Sequence, residues 1–188
     1  MKTKQIRSMT TEIKGESDDN QKVIRGYFAV FDDETNLYDK VFEKLDRGAF
    51  NNSINSDVRA LINHDTSLVL GRTTSNTLKL RTDDKGLYGE IYINEKDTDA
   101  MNIYERVKRG DVSQCSFGFN VNDEEVEYRD DDTVHFTIKD LDLYEVSVCT
   151  FPAYANTGVE AREKQVQEHK KRELQIKKDK LKERLTNA

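Results

Sequence analysis

The run "EEVEYRDDDTVHFTIKDLDLYEVSVCTF", Glu124 to Phe151, decides the fold class. Apolar and polar residues alternate on both sides of "RDDD", the period of two that marks strands rather than helices. The acidic centre reads as a hairpin tip joining two strands. Pro152, the single proline of the chain, ends the second strand because it has no N–H to give to a ladder.

Further strands follow in both directions from this hairpin. "SQCSFGFNV" precedes it as another strand, and "DTDAMNIYERVKRG" before that has the helix period. There Met101, Ile103, Tyr104 and Val107 fall mostly on one face, Asp97 or Thr98 can cap the start, and Gly110 can end the helix. "KVIRGYFAVF", from Lys22, reads as a buried strand with a bulge or close approach at its glycine. "DDETN" is a turn, and "VFEKLDRGAFNNSINS" reads as one or two short helices broken at Gly48. "VRALINHD" is a strand ending in polar residues. "SLVLGRT", "NTLKLRTDD" and "KGLYGEIYIN" are strands too, the last two joined by a hairpin turn. Residues 1–20 are polar, with one strand expected around Ile6 to Ile13. Seven or more short strands with turns between them predict a mainly β protein with helices (α+β), built as a closed or nearly closed antiparallel β-barrel.

From residue 162 to 188 the composition changes. This segment is rich in mixed charge, with Lys and Arg in excess, and Val166, Leu174, Leu181 and Leu185 give a thin apolar stripe. A charged C-terminal helix or a mobile tail fits that pattern. The domain plan is therefore a polar segment 1–20, a body 21–161 and a charged tail 162–188.

Composition narrows the function. A chain of 188 residues with 35% charged side chains holds one ordinary core and much solvated surface. A net charge of −6 gives no footprint for nucleic acid over the whole chain, which also disfavours an OB-type binding barrel. No apolar run is long enough to span a membrane, and the N-terminus lacks the apolar core of a secretory signal. Cys115 and Cys149 form no C-x-x-C pair, so no thiol zinc site and no cofactor are expected.

Candidates for chemistry are few. His64 sits where an apolar strand meets polar residues, a good position for a general base. His135 lies between apolar neighbours and His169 in the charged tail. Ser113, Cys115 and Ser116 are the candidate nucleophiles; on a strand the first two share one face and Ser116 takes the other. Gly118 leaves the strand open to close backbone approach. Glu145, in an apolar strand, must face solvent or find a partner such as a histidine. Arg72 and Arg109 read as surface charges.

The ordered set "RGYFAVFDDETN", "DRGAF", "LINHDTSLVLGRT", "LKLRTDDKGLYGEIYI", "RVKRGDVSQCSFGF" and "LYEVSVCTFPAYANT" resembles the prohead protease family of tailed bacteriophages, from about Arg25 to about Ala161. That family is similar in fold to the assemblin proteases of herpesviruses, serine proteases on a β-barrel flanked by helices. The resemblance implies a serine endopeptidase of capsid maturation with Ser116 as nucleophile, His64 as general base and Glu145 as third member. Herpesvirus relatives use a second histidine in the third place, so His135 is a rival, and Asp65 and Asp142 are further acidic options. Cys115 stands where family members often carry an apolar residue, which keeps a thiol alternative open. The implied substrates are the scaffold segment of the major capsid protein and the enzyme itself, inside the prohead in the host cytoplasm. Homo-oligomers follow by analogy; no nucleic-acid or membrane partner and no metal is implied. The alternative is an inactive barrel whose coiled-coil arm scaffolds capsid assembly.

Overall fold

The computed structural model of the chain describes residues 4–9, 13–18, 21–151, 162–172, 174–176 and 178. The chain divides into two compact units, Met1–Ala155 and Asn156–Ala188. Eleven strands are described in the first: β1 (Gln5–Met9), β2 (Ile13–Asp18), β3 (Gln21–Val30), β4 (Thr35–Tyr38), β5 (Val41–Leu45), β6 (Arg59–Ile62), β7 (Asp65–Arg72), β8 (Leu78–Thr82), β9 (Gly86–Tyr92), β10 (Gln114–Tyr128) and β11 (Val134–Cys149). One helix, α1 (Thr98–Arg109), lies between β9 and β10. In the second unit the described residues are helical. Leu174 and Ile176 are exposed there, while Leu181 and Leu185 lie outside the described residues.

The strands form two sheets. One runs β1-β10-β11-β5-β4, with β6 also on β11 and β7 on β6; the other runs β2-β3-β9-β8. The predicted antiparallel barrel is corrected here. Among the described residues no pairing closes either sheet or joins the two. The larger sheet is mixed, because β5 and β6 both run parallel to β11.

The β10–β11 hairpin is long and coiled. Its register shifts after Gly118, Val121 and Asp123, and such bulges sharpen twist and bend. Arg7 lies opposite Phe117, which faces Val146, whereas Glu43 lies beside Phe136. Ten residues of straight strand would hold these registers about 33 Å apart. Yet Arg7 Nε donates to Glu43 Oε1 at 2.5 Å, so the hairpin bends back on itself.

Residues 41–45 are a strand, not the predicted helix. Val41, Glu43 and Leu45 are buried in alternation, and pairing with β11 overrides local helix preference. Turns follow, and they deliver Phe50 to the core, where its ring meets Phe31 at 6.0 Å and Phe117 at 5.9 Å. The polar start holds two strands rather than one, and β2 joins the smaller sheet through β3.

The helix forms as its sequence dictates. Asp97 accepts hydrogen bonds from the N–H groups of Asp99 and Ala100, and Gly110, at φ 88°, closes the other end. That left-handed conformation suits glycine. Ala100, Ile103, Tyr104 and Val107 are buried, giving the apolar stripe that packs on β2 and β3.

Candidate active site

His64 is held by a tight turn. Ile62 of β6 pairs with Asp65 of β7, leaving Asn63 and His64 as a two-residue hairpin loop. Their φ angles are 50° and 63°, the two positive values that a type I′ turn requires. Three bonds fix this turn to β11 and the residue after it. Asn63 N–H donates to Val148 O at 2.9 Å, and Thr150 N–H donates to Asn63 Oδ1 at 2.9 Å. His64 N–H donates to Ser147 Oγ at 3.2 Å.

The turn presents the imidazole to β11. His64 Nδ1 lies 2.7 Å from Glu145 Oε1. The other carboxylate oxygen accepts from Ser147 Oγ at 2.7 Å, and Lys4 Nζ stands 3.2 Å from Oε1. Glu145 is only 2% exposed. Burial pushes its pKa up, but hydrogen bonds from His64 and Ser147 and the charges of His64 and Lys4 outweigh it. The net position is below the usual carboxylate range, so Glu145 is an anion at neutral pH.

On the far side of the ring, His64 Nε2 lies 3.7 Å from Cys149 Sγ. Burial first, then the nearby Cys115 and Glu145, pushes the Cys149 thiol up to about 12. Cys149 is therefore a neutral thiol, not a thiolate nucleophile.

Ser116 shares this face. In the β10–β11 pairing it lies opposite Ser147, between Gly118 opposite Glu145 and Gln114 opposite Cys149, and opposed residues project to one side of a sheet. A side chain at Gly118 would collide with the Glu145 carboxylate and with Lys4, so only glycine leaves that carboxylate its place. Ser116 itself is buried, and its Oγ donates to the backbone carbonyl of Arg7 in β1 at 2.7 Å. Among the described residues, no hydrogen bond links Ser116 to His64.

The other predicted candidates lie elsewhere. Cys115 faces the opposite side, where its thiol donates to Tyr27 O in the smaller sheet at 3.0 Å. Both cysteines are unbridged and buried. His135 sits ten residues before Glu145 on the same strand. Its Nδ1 lies 2.7 Å from Glu34 Oε1, its Nε2 lies 2.9 Å from Thr133 Oγ1, and its ring stacks on Phe42. Asp65 accepts from Ser67, and Asp142 accepts from Asn122. Arg72 and Arg109 pair with Asp57 and Asp111 on the surface. A groove of about 480 Å³ between Thr73, Leu78, Arg81 and Glu90 includes none of the cluster.

Sequence reasoning missed Lys4, Ser147 and Cys149. The alternation of Glu145, Ser147 and Cys149 was a signal that they share one face. The part played by Lys4 depends on β1 docking beside β10, which no local pattern announces.

The profile described as caudovirus prohead serine protease matches residues 8–172. The prohead protease of Enterobacteria phage HK97 is 32% identical over 159 residues, covering 80% of this chain and 64% of that protein. No solved structure matches. Because the match covers most of the chain, residues 8–172, and contains β6, β7, β10 and β11 entire, this chain belongs to the caudovirus prohead serine protease family.

Proposed function

We propose that the chain is a serine endopeptidase of capsid maturation, with Ser116, His64 and Glu145 as its catalytic residues. The observation that carries this reading is the 2.7 Å bond from His64 Nδ1 to a buried, ionised Glu145. That bond puts the imidazole proton on Nδ1 and leaves Nε2 to act as a base, on the face Ser116 shares.

In this mechanism Ser116 Oγ attacks the scissile carbonyl of an extended peptide and passes its proton to His64 Nε2. The carbonyl becomes a tetrahedral oxyanion. Its collapse expels the amine, which takes the proton from Nε2, and leaves an acyl ester on Ser116. Water then gives its proton to the same nitrogen and attacks the ester carbonyl; the C–Oγ bond breaks, the acid leaves, and Ser116 Oγ takes the proton back from Nε2. Glu145 stabilises the imidazolium in both halves and stays ionised throughout. Ser147 holds the second carboxylate oxygen and the turn of His64, and so acts as a positioning residue.

The substrates under this reading are capsid components, the scaffold segment of the major capsid protein and the enzyme itself, cut inside the prohead in the host cytoplasm. The active form is a homo-oligomer. A second reading takes Cys149 as nucleophile, on the strength of its 3.7 Å approach to Nε2; the upward shift of its thiol to about 12 speaks against it.

A fluorophosphonate probe, followed by peptide mapping, tests the proposal. We expect one adduct per chain on Ser116, absent from Ser116→Ala and His64→Ala. An adduct on Ser147 would move the nucleophile. No adduct under prolonged labelling would favour the inactive capsid scaffold.

A further inference from the structure

Strand β1 occupies the edge of β10 along which an extended peptide would reach Ser116. It runs antiparallel, with Arg7 opposite Phe117 and Ser8 opposite Ser116. Its Arg7 carbonyl accepts the Ser116 hydroxyl proton at 2.7 Å, and its Lys4 ammonium lies 3.2 Å from Glu145. One short segment thus engages both the proposed nucleophile and the proposed orienting carboxylate. The family match begins at residue 8, so Gln5, Ile6 and Arg7 lie outside it.

The side chain of Arg7 is built into a pocket. It is 6% exposed, and its guanidinium donates to both oxygens of Glu43, at 2.5 and 2.8 Å. It also donates to Gln5 Oε1 at 2.8 Å and lies over the Phe119 ring at 5.6 Å from the centroid. A paired guanidinium on a buried carboxylate, capped by an aromatic face, is strong and selective recognition of a basic side chain. Glu43 is 5% exposed. If β1 leaves, that carboxylate loses its guanidinium, and an incoming strand with Arg in the same register restores it.

We infer that β1 is a built-in substrate mimic, which covers Ser116 until it is displaced, and that Glu43 selects a basic residue in the extended peptide that replaces it. The inference rests on the assignment of Ser116 as nucleophile. The contact is inhibitory because the Ser116 proton is spent on a carbonyl oxygen instead of pointing to Nε2. An edge strand gives main-chain bonds to any extended peptide, and alternate pockets supply the discrimination. A segment tethered to its own domain competes at high effective concentration, so it excludes a dilute substrate even when its intrinsic hold is weak.

The test compares rates of fluorophosphonate labelling at Ser116 in the full chain. If the cleft is open in about a tenth of molecules, Arg7→Ala speeds labelling about tenfold. A synthetic peptide of residues 4–9, Lys-Gln-Ile-Arg-Ser-Met, slows the Arg7→Ala protein again, and the same peptide with Ala for Arg does not. Arg7→Lys keeps a cation for Glu43 and gives an intermediate rate, which decides the matter if Arg7→Ala does not fold. Equal labelling of Ser116 in all these proteins, with no effect of the peptide, overturns the substrate-mimic inference and leaves the nucleophile standing. Labelling of Ser116 in none of them overturns the nucleophile and the inference with it.

Discussion

Replacing Ser116 by alanine is expected to abolish peptide cleavage while the protein stays folded. In a serine triad the loss of the nucleophile alone lowers kcat roughly a million-fold, since the other two members have nothing left to activate. The structural cost is small. Ser116 Oγ makes one buried hydrogen bond, to Arg7 O, and its loss is worth about 1 kcal/mol, a fall of about 2–4 °C in Tm for a chain of this size. The assay is run on the unaltered chain and on Arg7→Ala, so that a covered cleft cannot pass for a dead one. Cys115→Ala should keep most activity, because that thiol faces Tyr27 across the core rather than the His64 ring. Cys149→Ala should keep it as well. A dead Cys149→Ala beside an active Ser116→Ala would transfer the nucleophile to the thiol.

The second large effect is expected at Glu145. Glu145→Gln keeps the shape but can present its amide N–H₂ to His64, and in a triad the corresponding acid-to-amide change costs about 10⁴ in kcat. Its effect on stability depends on pH. The folded pKa of Glu145 lies below its ordinary value of 4.5. The ionised group therefore stabilises the fold above that value, and this contribution fades as pH falls through the lower folded pKa. Urea denaturation at neutral pH and below pH 4 should show a smaller acid-induced loss in Glu145→Gln than in the unaltered protein. Glu145→Ala leaves His64 Nδ1–H and Ser147 Oγ–H without their buried acceptor and should cost about 2 kcal/mol at neutral pH. An unchanged acid profile in Glu145→Gln would mean that the His64 contact does not hold the carboxylate ionised.

The sequence made some of this readable and hid the rest for physical reasons. The "RDDD" tip, the helix from Asp97 to Gly110 and the separation of Cys115 from Ser116 all follow from local periodicity and capping. His64 and Glu145 were legible as candidates because a histidine at a strand end and a carboxylate in an apolar strand each demand an explanation. The parallel pairings were not legible. They match Glu43 with Phe136 and Arg59 with Glu145, partners about ninety residues apart, so no short window records them. Residues 41–45 looked helical because "VFEKL" suits either state until β11 lies beside it. The buried position of Glu43 depends on Arg7, so neither residue could be understood without the other. The cover over Ser116 is likewise a property of docking, since nothing in "KQIRSM" distinguishes it from an ordinary polar start.

The hairpin loop that carries His64 has an evolutionary consequence. Glycine is the residue most at ease at φ 63°, so selection for thermal robustness alone would push this position toward glycine. Under the mechanism proposed above, a histidine at this position is where selection for turnover opposes selection for robustness. In lineages that lose the activity but keep the shell, this turn is where the sequence should relax first.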